Sequence, residues 1–471
     1  MDVIQMKNCC RLVLLVLAAS PWIGAQEVAS WRTTQDLHDR LTPQAALHFS
    51  REAAEGERIS VDPSARYQEM DGFGASMTDS SAWLLEEKLS PAARHAAMVK
   101  LFDARKGIGL SFLRQPLGAS DLARNHYTYD DVAAGEQDPE LKKFSVAHDE
   151  AYLFPALREA LKVQPGIKLM GTPWSPPAWM KTNGSLKGGS LREDSHGAFA
   201  QYLVKSVEAY KKAGVPLGYL TVQNEALFAP DSYPGMVMTA SEQKRFIAQA
   251  LGPALKQAGI KLKLLAYDHN WDHPEYPIEV LDDAVARPYV AGSALHCYGG
   301  DVDGQLKVHE AHPEAGIWMT ECSGGTWQEG NLLGVTARLI IESTRNWAKS
   351  VILWGLVLDQ NNGPHAGGCG TCRGLATVDT SKTPAEVSYT VDYYAMGSAS
   401  RFVRPGAVRI ASSTGGRDGV ESVAFENPDH SIALLLFNNR PSTSPVVIEF
   451  GDKRLFDHLP AGSFTTYLWH R

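Results

Sequence analysis

Two glutamates are the residues of this sequence best placed to do chemistry. Glu225 ends the run Tyr219-Leu220-Thr221-Val222-Gln223-Asn224-Glu225, and Glu321 ends Ile317-Trp318-Met319-Thr320-Glu321. Each follows a short apolar stretch that reads as a strand, and a buried strand that ends in an acid can deliver that acid to a cleft. Two carboxyl groups facing each other across a cleft are the equipment for breaking a glycosidic bond. A lone glutamate at a strand end is ordinarily a surface or ion-paired residue, so the weight rests on the pair. Asn224 could hydrogen-bond the hydroxyl next to the reacting carbon, a contact that strengthens in the transition state; its plainer use is as a turn residue. Tyr298 could donate to a carboxylate and hold it ionised. His296 reads as structural, because a carboxylate pair needs no imidazole.

The elements that would position these residues form a rhythm. Short apolar runs at Gly72–Ser76, Leu110–Arg114, Lys168–Thr172, Tyr219–Gln223, Lys263–Tyr267, Ser293–Cys297, Gly316–Thr320 and Val351–Leu358 read as strands. Helical patterns lie between them. Ser90–Phe102 opens on a Ser-Pro cap, and Phe199–Ala213, Ala240–Ala258 and Val335–Trp347 carry apolar residues at three- and four-residue steps. Strands alternating with helices in this number fit an α/β fold, a (β/α)8 barrel. On such a barrel, functional groups sit at the carboxyl ends of the strands. Asp121, Trp174, Trp179, Asn224, Glu225, Asp268, His269, Asn270, His296, Tyr298, Glu321, Trp354 and Asp359 all fall on or after such ends. Strands four and seven place the two glutamates on opposite sides of one mouth.

From about residue 394 the pattern changes. Val408–Ser412, Val420–Glu426, Ile432–Asn438, Val446–Phe450 and Phe464–Trp469 read as strands separated by Gly, Asn, Asp and Pro turns, with no helix between them. This is the signature of an antiparallel β-sandwich. The alternating Arg58-Ile59-Ser60-Val61 near the other end of the chain suits the same domain. The expected division is therefore a signal peptide over 1–25, an N-terminal segment over 26–69 contributing to the sandwich, the barrel over 70–393, and the C-terminal sandwich over 394–471.

Composition narrows the function classes. A net charge of −8 argues against a nucleic-acid partner. The 11 tryptophans suit a cleft that stacks on sugar rings, although any single tryptophan is more commonly core. Lys7 and Arg11, the apolar Leu12–Ala19 and the small Gly24-Ala25 read as an export signal too short to span a bilayer. The expectation is a secreted or periplasmic protein without stable membrane insertion. Beyond the signal lie Cys297, Cys322, Cys369 and Cys372; the last two form a CxxC with no partner pair for a zinc site, so a local disulfide shaping a loop is expected. Asn183-Gly184-Ser185 matches a glycosylation sequon, a match short enough to arise by chance.

The run Met70-Asp71-Gly72-Phe73-Gly74-Ala75-Ser76-Met77-Thr78-Asp79 resembles the first barrel strand of glycoside hydrolase family thirty, which includes glucosylceramidases and β-1,6-glucanases. Pro173-Trp174-Ser175-Pro176-Pro177-Ala178-Trp179-Met180-Lys181-Thr182-Asn183-Gly184, the strand-four motif and Tyr127-Thr128-Tyr129-Asp130 are similar as well. The resemblance runs from about residue 58 to the C-terminus. It implies a retaining β-glycosidase with Glu225 as acid/base and Glu321 as nucleophile. It implies that Asp121, Trp174, Asn224 and Trp354 hold the sugar, and that Tyr233 and Tyr298 line the pocket. The chain departs from the family at Ala226, where proline is usual, at Cys297, where glucosylceramidases carry tryptophan, and in the loop Asn361–Cys369.

The reading that follows is double displacement by a glucosylceramidase-like β-glucosidase that needs no metal or organic cofactor. Its partner is a β-linked glycoside, glycolipid or β-glucan. The alternative within the family is an endo-β-1,6-glucanase or another β-glycosidase, such as a β-xylosidase or β-fucosidase. The alternative outside enzymes is a carbohydrate-binding protein that has lost catalysis. Retention predicts carboxyl groups about 5–5.5 Å apart, against about 9 Å for inversion.

Overall fold

A computed structural model describes residues 26–471; the expected signal segment lies outside them. Eight parallel strands form a closed barrel: β1 (Gly72–Ser76), β2 (Phe112–Pro116), β3 (Lys168–Thr172), β4 (Tyr219–Thr221), β5 (Lys263–Asn270), β6 (Val290–His296), β7 (Gly316–Glu321) and β8 (Ala348–Asp359). β8 pairs with both β7 and β1, which closes the ring. The second strand lies two residues later than its sequence pattern suggests. The chain turns at Gly109 (φ +65°), and the Leu110 N–H is still spent on the Leu101 carbonyl of the preceding helix. Arg114 is therefore inside the strand and not at its end.

The barrel interior is built in layers, because alternate residues of a strand point the same way. Phe112, Met170, Tyr219, Leu265, Ala294, Trp318 and Ile352 pack as one apolar cluster, one residue from each of β2 to β8. β1 contributes Gly74, where a Cβ would lie 1.6 Å from the Phe112 carbonyl oxygen. Two residues further along the strands the layer turns polar, with Arg114, Thr172, Thr221, His296, Thr320 and Trp354. Strict alternation would add Tyr267 from β5. Instead the β5–β6 register shifts there, and Tyr267 (φ +76°) and Asp268 (φ +58°) both adopt left-handed backbone. This bulge lets Asp268 join the inward polar layer. A hydrophobic plug thus supports a charged floor, and the floor supports the cleft.

Helices cover the barrel. The expected Ala240–Ala258 helix is broken into Ala240–Phe246, a wide turn over Ile247–Leu251, and Gly252–Gln257. Pro253 has no N–H to continue the ladder, and the Gly252 N–H reaches back five residues to the Ile247 carbonyl.

The second domain is a single curled sheet, mostly antiparallel, that includes Glu27–Thr33 and Glu57–Glu69 alongside the C-terminal strands. Glu57–Glu69 pairs antiparallel with Val408–Ser412 and parallel with Ser444–Phe450. Two features differ from the sequence pattern. The helix Val391–Ser400 crosses the expected boundary at 394, and Lys453–Leu459 is an additional strand. In Ser431–Asn438 both faces are buried: Ile432, Leu434 and Leu436 enter the sheet's own core, while Ala433, Leu435 and Phe437 join the barrel-side core. A strand covered on both sides reads as an unbroken apolar run, which is why its sequence lacks alternation.

Candidate active site

The carboxyl ends of the strands meet in a cleft of about 380 Å³ lined by Asp121, Trp174, Asn224, Glu225, Tyr233 and Glu321 among others. Tyr298 and Trp354 also face it. All eight site residues expected from the sequence therefore reach one cavity. Carboxylate oxygens of Glu225 and Glu321 lie within 4.8 Å of one another, with a His296 ring nitrogen inside the same radius.

Arg114 organises the floor. It is fully buried, and its guanidinium donates to Glu321 Oε2 (2.6 Å), Asn224 Oδ1 (2.7 Å) and Asp268 Oδ2 (2.8 Å). Asp268, also fully buried, further accepts from Thr221 Oγ1 (2.8 Å) and Thr320 Oγ1 (2.6 Å) and contacts His296 Nε2 (3.0 Å). The other His296 nitrogen lies 3.4 Å from Glu225 Oε1. Tyr298 donates its hydroxyl to Glu321 Oε1 at 2.9 Å. Glu321 is thus held from two sides by donors. Glu225 sits in left-handed backbone (φ +49°), and its N–H donates to the Asp268 carbonyl at 2.8 Å. Non-glycine residues in this region cost about 1–3 kcal/mol and cluster at functional sites.

The charges follow from this wiring. Burial pushes Asp268 up, but Arg114 and His296 outweigh it and hold the carboxyl well below its usual range. Burial lowers His296, yet Glu321, Asp268 and Glu225 together lift it to about 9. The two glutamates titrate as a pair. Burial raises both; His296 then pulls Glu225 below its usual value, while the nearby Glu225 charge helps keep Glu321 raised against His296, Arg114 and Tyr298. Glu225, Glu321 and His296 offer a possible cation donor set. The Arg114 guanidinium on Glu321 places a fixed positive charge against that use.

An aromatic pair lines the cleft beside Arg114. Trp174 and Trp354 stack with centroids 5.0 Å apart, and Arg114 lies over the Trp174 ring at 4.9 Å. Asp121 is buried beside them. Burial first, then Glu321 and Glu225, raise its carboxyl to about 7. The loop that departs from the family pattern packs on it: the Cys369 N–H donates to Asp121 Oδ2 (3.2 Å), and the Ala366 N–H donates to the Asp121 carbonyl (2.9 Å). A Cβ at Gly368 would lie 1.9 Å from the Asp121 Cβ, so only glycine permits this approach. The expected Cys369–Cys372 disulfide is present, and both cysteines join the apolar cluster of Trp174, Trp354 and Tyr233. A second disulfide, Cys297–Cys322, ties the end of β6 to the residue after Glu321.

Asp268, expected at the end of strand five, lies in the floor of the site, whereas Arg114 is a site residue that the sequence pattern does not single out. The signal for Arg114 was an arginine within an apolar strand, since a buried charge requires partners. His296, read as structural, contacts Glu225 and Asp268 directly.

Comparison with known proteins agrees with this architecture. Residues 70–402 match the glycosyl hydrolase family 30 TIM-barrel domain, and residues 406–467 match the family 30 β-sandwich domain. An endo-1,6-β-D-glucanase of Neurospora crassa is 35% identical over 402 residues, covering 81% of this chain and 82% of that protein. The lysosomal acid glucosylceramidase of Mus musculus is 29% identical over 445 residues, covering 88% and 84%. The solved endo-β1,6-glucanase BT3312 superposes with a TM-score of 0.88 at 34% identity, covering 94% of this chain and 99% of the other. The strand-end carboxylates, the two matched domains and these relatives lead to one conclusion: the chain belongs to glycosyl hydrolase family 30 and is an O-glycosyl hydrolase.

Proposed function

We propose that this protein is an endo-acting β-1,6-glucanase that cleaves with retention of configuration. The observation that carries the mechanism is the approach of the Glu225 and Glu321 oxygens to within 4.8 Å. That spacing suits direct attack by a carboxylate and leaves no room for the water that an inverting enzyme places between its acids. The substrate preference rests on the relatives: the glucanases at 35% and 34% identity stand above the glucosylceramidases at 31% and below. The glucanase alternative therefore replaces glucosylceramidase as the leading reading.

Glu321, ionised and aimed by Arg114 and Tyr298, attacks the anomeric carbon. Glu225 gives its proton to the leaving oxygen, and an ester between Glu321 and the sugar forms. Glu225 then takes a proton from water as that water releases the sugar. In the free site the proton preference of the pair leans the other way, toward Glu321. Substrate reverses it: positive charge growing at the anomeric carbon favours the ionised Glu321, and the proton resides on Glu225. Asn224 holds the adjacent hydroxyl, and Trp174, Trp354 and Asp121 bind the ring.

The same reading includes export through the N-terminal signal, a setting in which both disulfides would persist. Hydrolysis of β-1,6-glucan followed by NMR tests the proposal. Oligosaccharides whose new ends are initially β support it; initially α products, or cleavage of glucosylceramide alone, refute it.

A further inference from the structure

The proposed chemistry uses Glu225, Glu321 and the residues that bind the sugar under attack, and leaves a second group of cleft residues unexplained. They lie around Glu225, the side from which a leaving group departs. Phe228 is tied to it by a backbone hydrogen bond, with its N–H on the Glu225 carbonyl at 2.8 Å. His269 is linked to it through the other backbone group, because the Glu225 N–H donates to the carbonyl of Asp268, the residue before His269. Both side chains line the cleft.

Their chemistry is complementary. Phe228 is 47% exposed and Trp327, which lines the same cleft, is 52% exposed, so two aromatic residues stand open to solvent at one cavity. His269 is only 8% exposed, and its Nδ1 has no hydrogen-bond partner among the described residues. Buried polar nitrogens are normally paired, so this imidazole's bonding capacity is left over by the fold. Burial, opposed only in part by Glu225, lowers the ring to about 4, which leaves it neutral with one donor and one acceptor. Asn270 stands beside it with Oδ1 accepting from the Tyr298 N–H at 3.2 Å.

We propose that His269 and Phe228 form the leaving-group subsite and that this subsite takes a second glucosyl ring. An exposed aromatic residue and an unpaired buried imidazole nitrogen lining one cleft match a pyranose, which has an apolar face and hydroxyls at its edge. An acyl chain would leave the His269 nitrogen buried without a partner. The inference rests on the glucanase reading and adds to it the residues that distinguish a sugar leaving group from a lipid one.

The test compares kcat/KM for a β-1,6-linked glucose oligosaccharide with that for an aryl β-glucoside. His269→Ala and Phe228→Ala should each lower the oligosaccharide-to-aryl ratio about tenfold, equivalent to ~1.4 kcal/mol, chiefly through KM. His269→Gln, which restores a donor and an acceptor, should recover most of the ratio. Phe228 is exposed, so its variant folds even if loss of His269 disturbs the bulge. Equal losses on both substrates, or an unchanged ratio in both alanine variants, overturn the inference while leaving the glucanase reading intact. A wild-type enzyme that cleaves the aryl glucoside and no β-1,6 linkage overturns the reading, and the inference with it.

Discussion

Replacing Arg114 with methionine is the most searching perturbation of this site. The side chain is fully buried and touches Glu321, Asn224 and Asp268 at 2.6–2.8 Å. With charge centres about 4 Å apart and an effective dielectric of about 20, each carboxylate contact is worth roughly 4 kcal/mol before desolvation. Removing one partner of a buried ion pair typically costs about 3–5 kcal/mol, because the other charge stays buried. Methionine fills the volume and leaves Asp268 with His296 and two hydroxyls, so a loss in that range is expected. The loss should depend on pH. Arg114 opposes the burial that raises Glu321, so without it Glu321 rises further. An acid whose folded pKa is raised costs stability once pH exceeds its unfolded value, so this share is small near pH 4 and larger at pH 7. The Asp268 share has the opposite sense: its folded pKa is depressed, so that stabilisation is full above 3.8 and is lost progressively as pH falls below it. Thermal melts at the two pH values should therefore show the larger gap between wild type and Arg114→Met at neutral pH. Turnover should fall about 10²–10³-fold, as for loss of one preorganised electrostatic contact, and Arg114→Lys should recover part of it because a point charge cannot reproduce the fork. A variant with wild-type turnover, or with a stability loss that does not change with pH, would refute the role given to the floor.

The remaining expectations are separate. Glu321→Gln should abolish turnover while the protein stays folded by circular dichroism; retained activity would remove it as nucleophile. Glu225→Gln should lose activity on natural linkages far more than on an aryl glucoside whose leaving group needs no proton, and comparable losses would contradict its role as acid. His296 is lifted to about 9 from 6.5, so its contribution to stability is complete below 6.5 and lost as pH rises through 9. His296→Gln should accordingly flatten the alkaline limb of the melting profile. Export predicts an N-terminus beginning at Gln26 in protein recovered from the medium or periplasm of its host, as read by Edman sequencing; an intact Met1 would refute it.

The sequence by itself determined the alternation of strands and helices, the change to all-β pattern near the end of the chain, and the strand-end residues that face the cleft. These features are local: a strand's apolar run, a Ser-Pro cap and an acid at a strand end are written within a few neighbouring positions. Tertiary structure decided what the acids experience. Arg114 meets Asp268 and Glu321 only because closing the barrel brings β2, β5 and β7 to one floor, and no spacing along the chain encodes that meeting. The bulge at Tyr267 and Asp268 reverses which residue points inward, an outcome that strict alternation would misplace. The Cys297–Cys322 bond depends on β6 and β7 lying side by side. The proton preference of the glutamate pair depends on His296, whose charge is itself set by burial and three surrounding carboxylates. Pattern places a residue at the cleft, but burial and long-range partners decide its charge, because both are properties of the packed barrel and not of the strand that carries it.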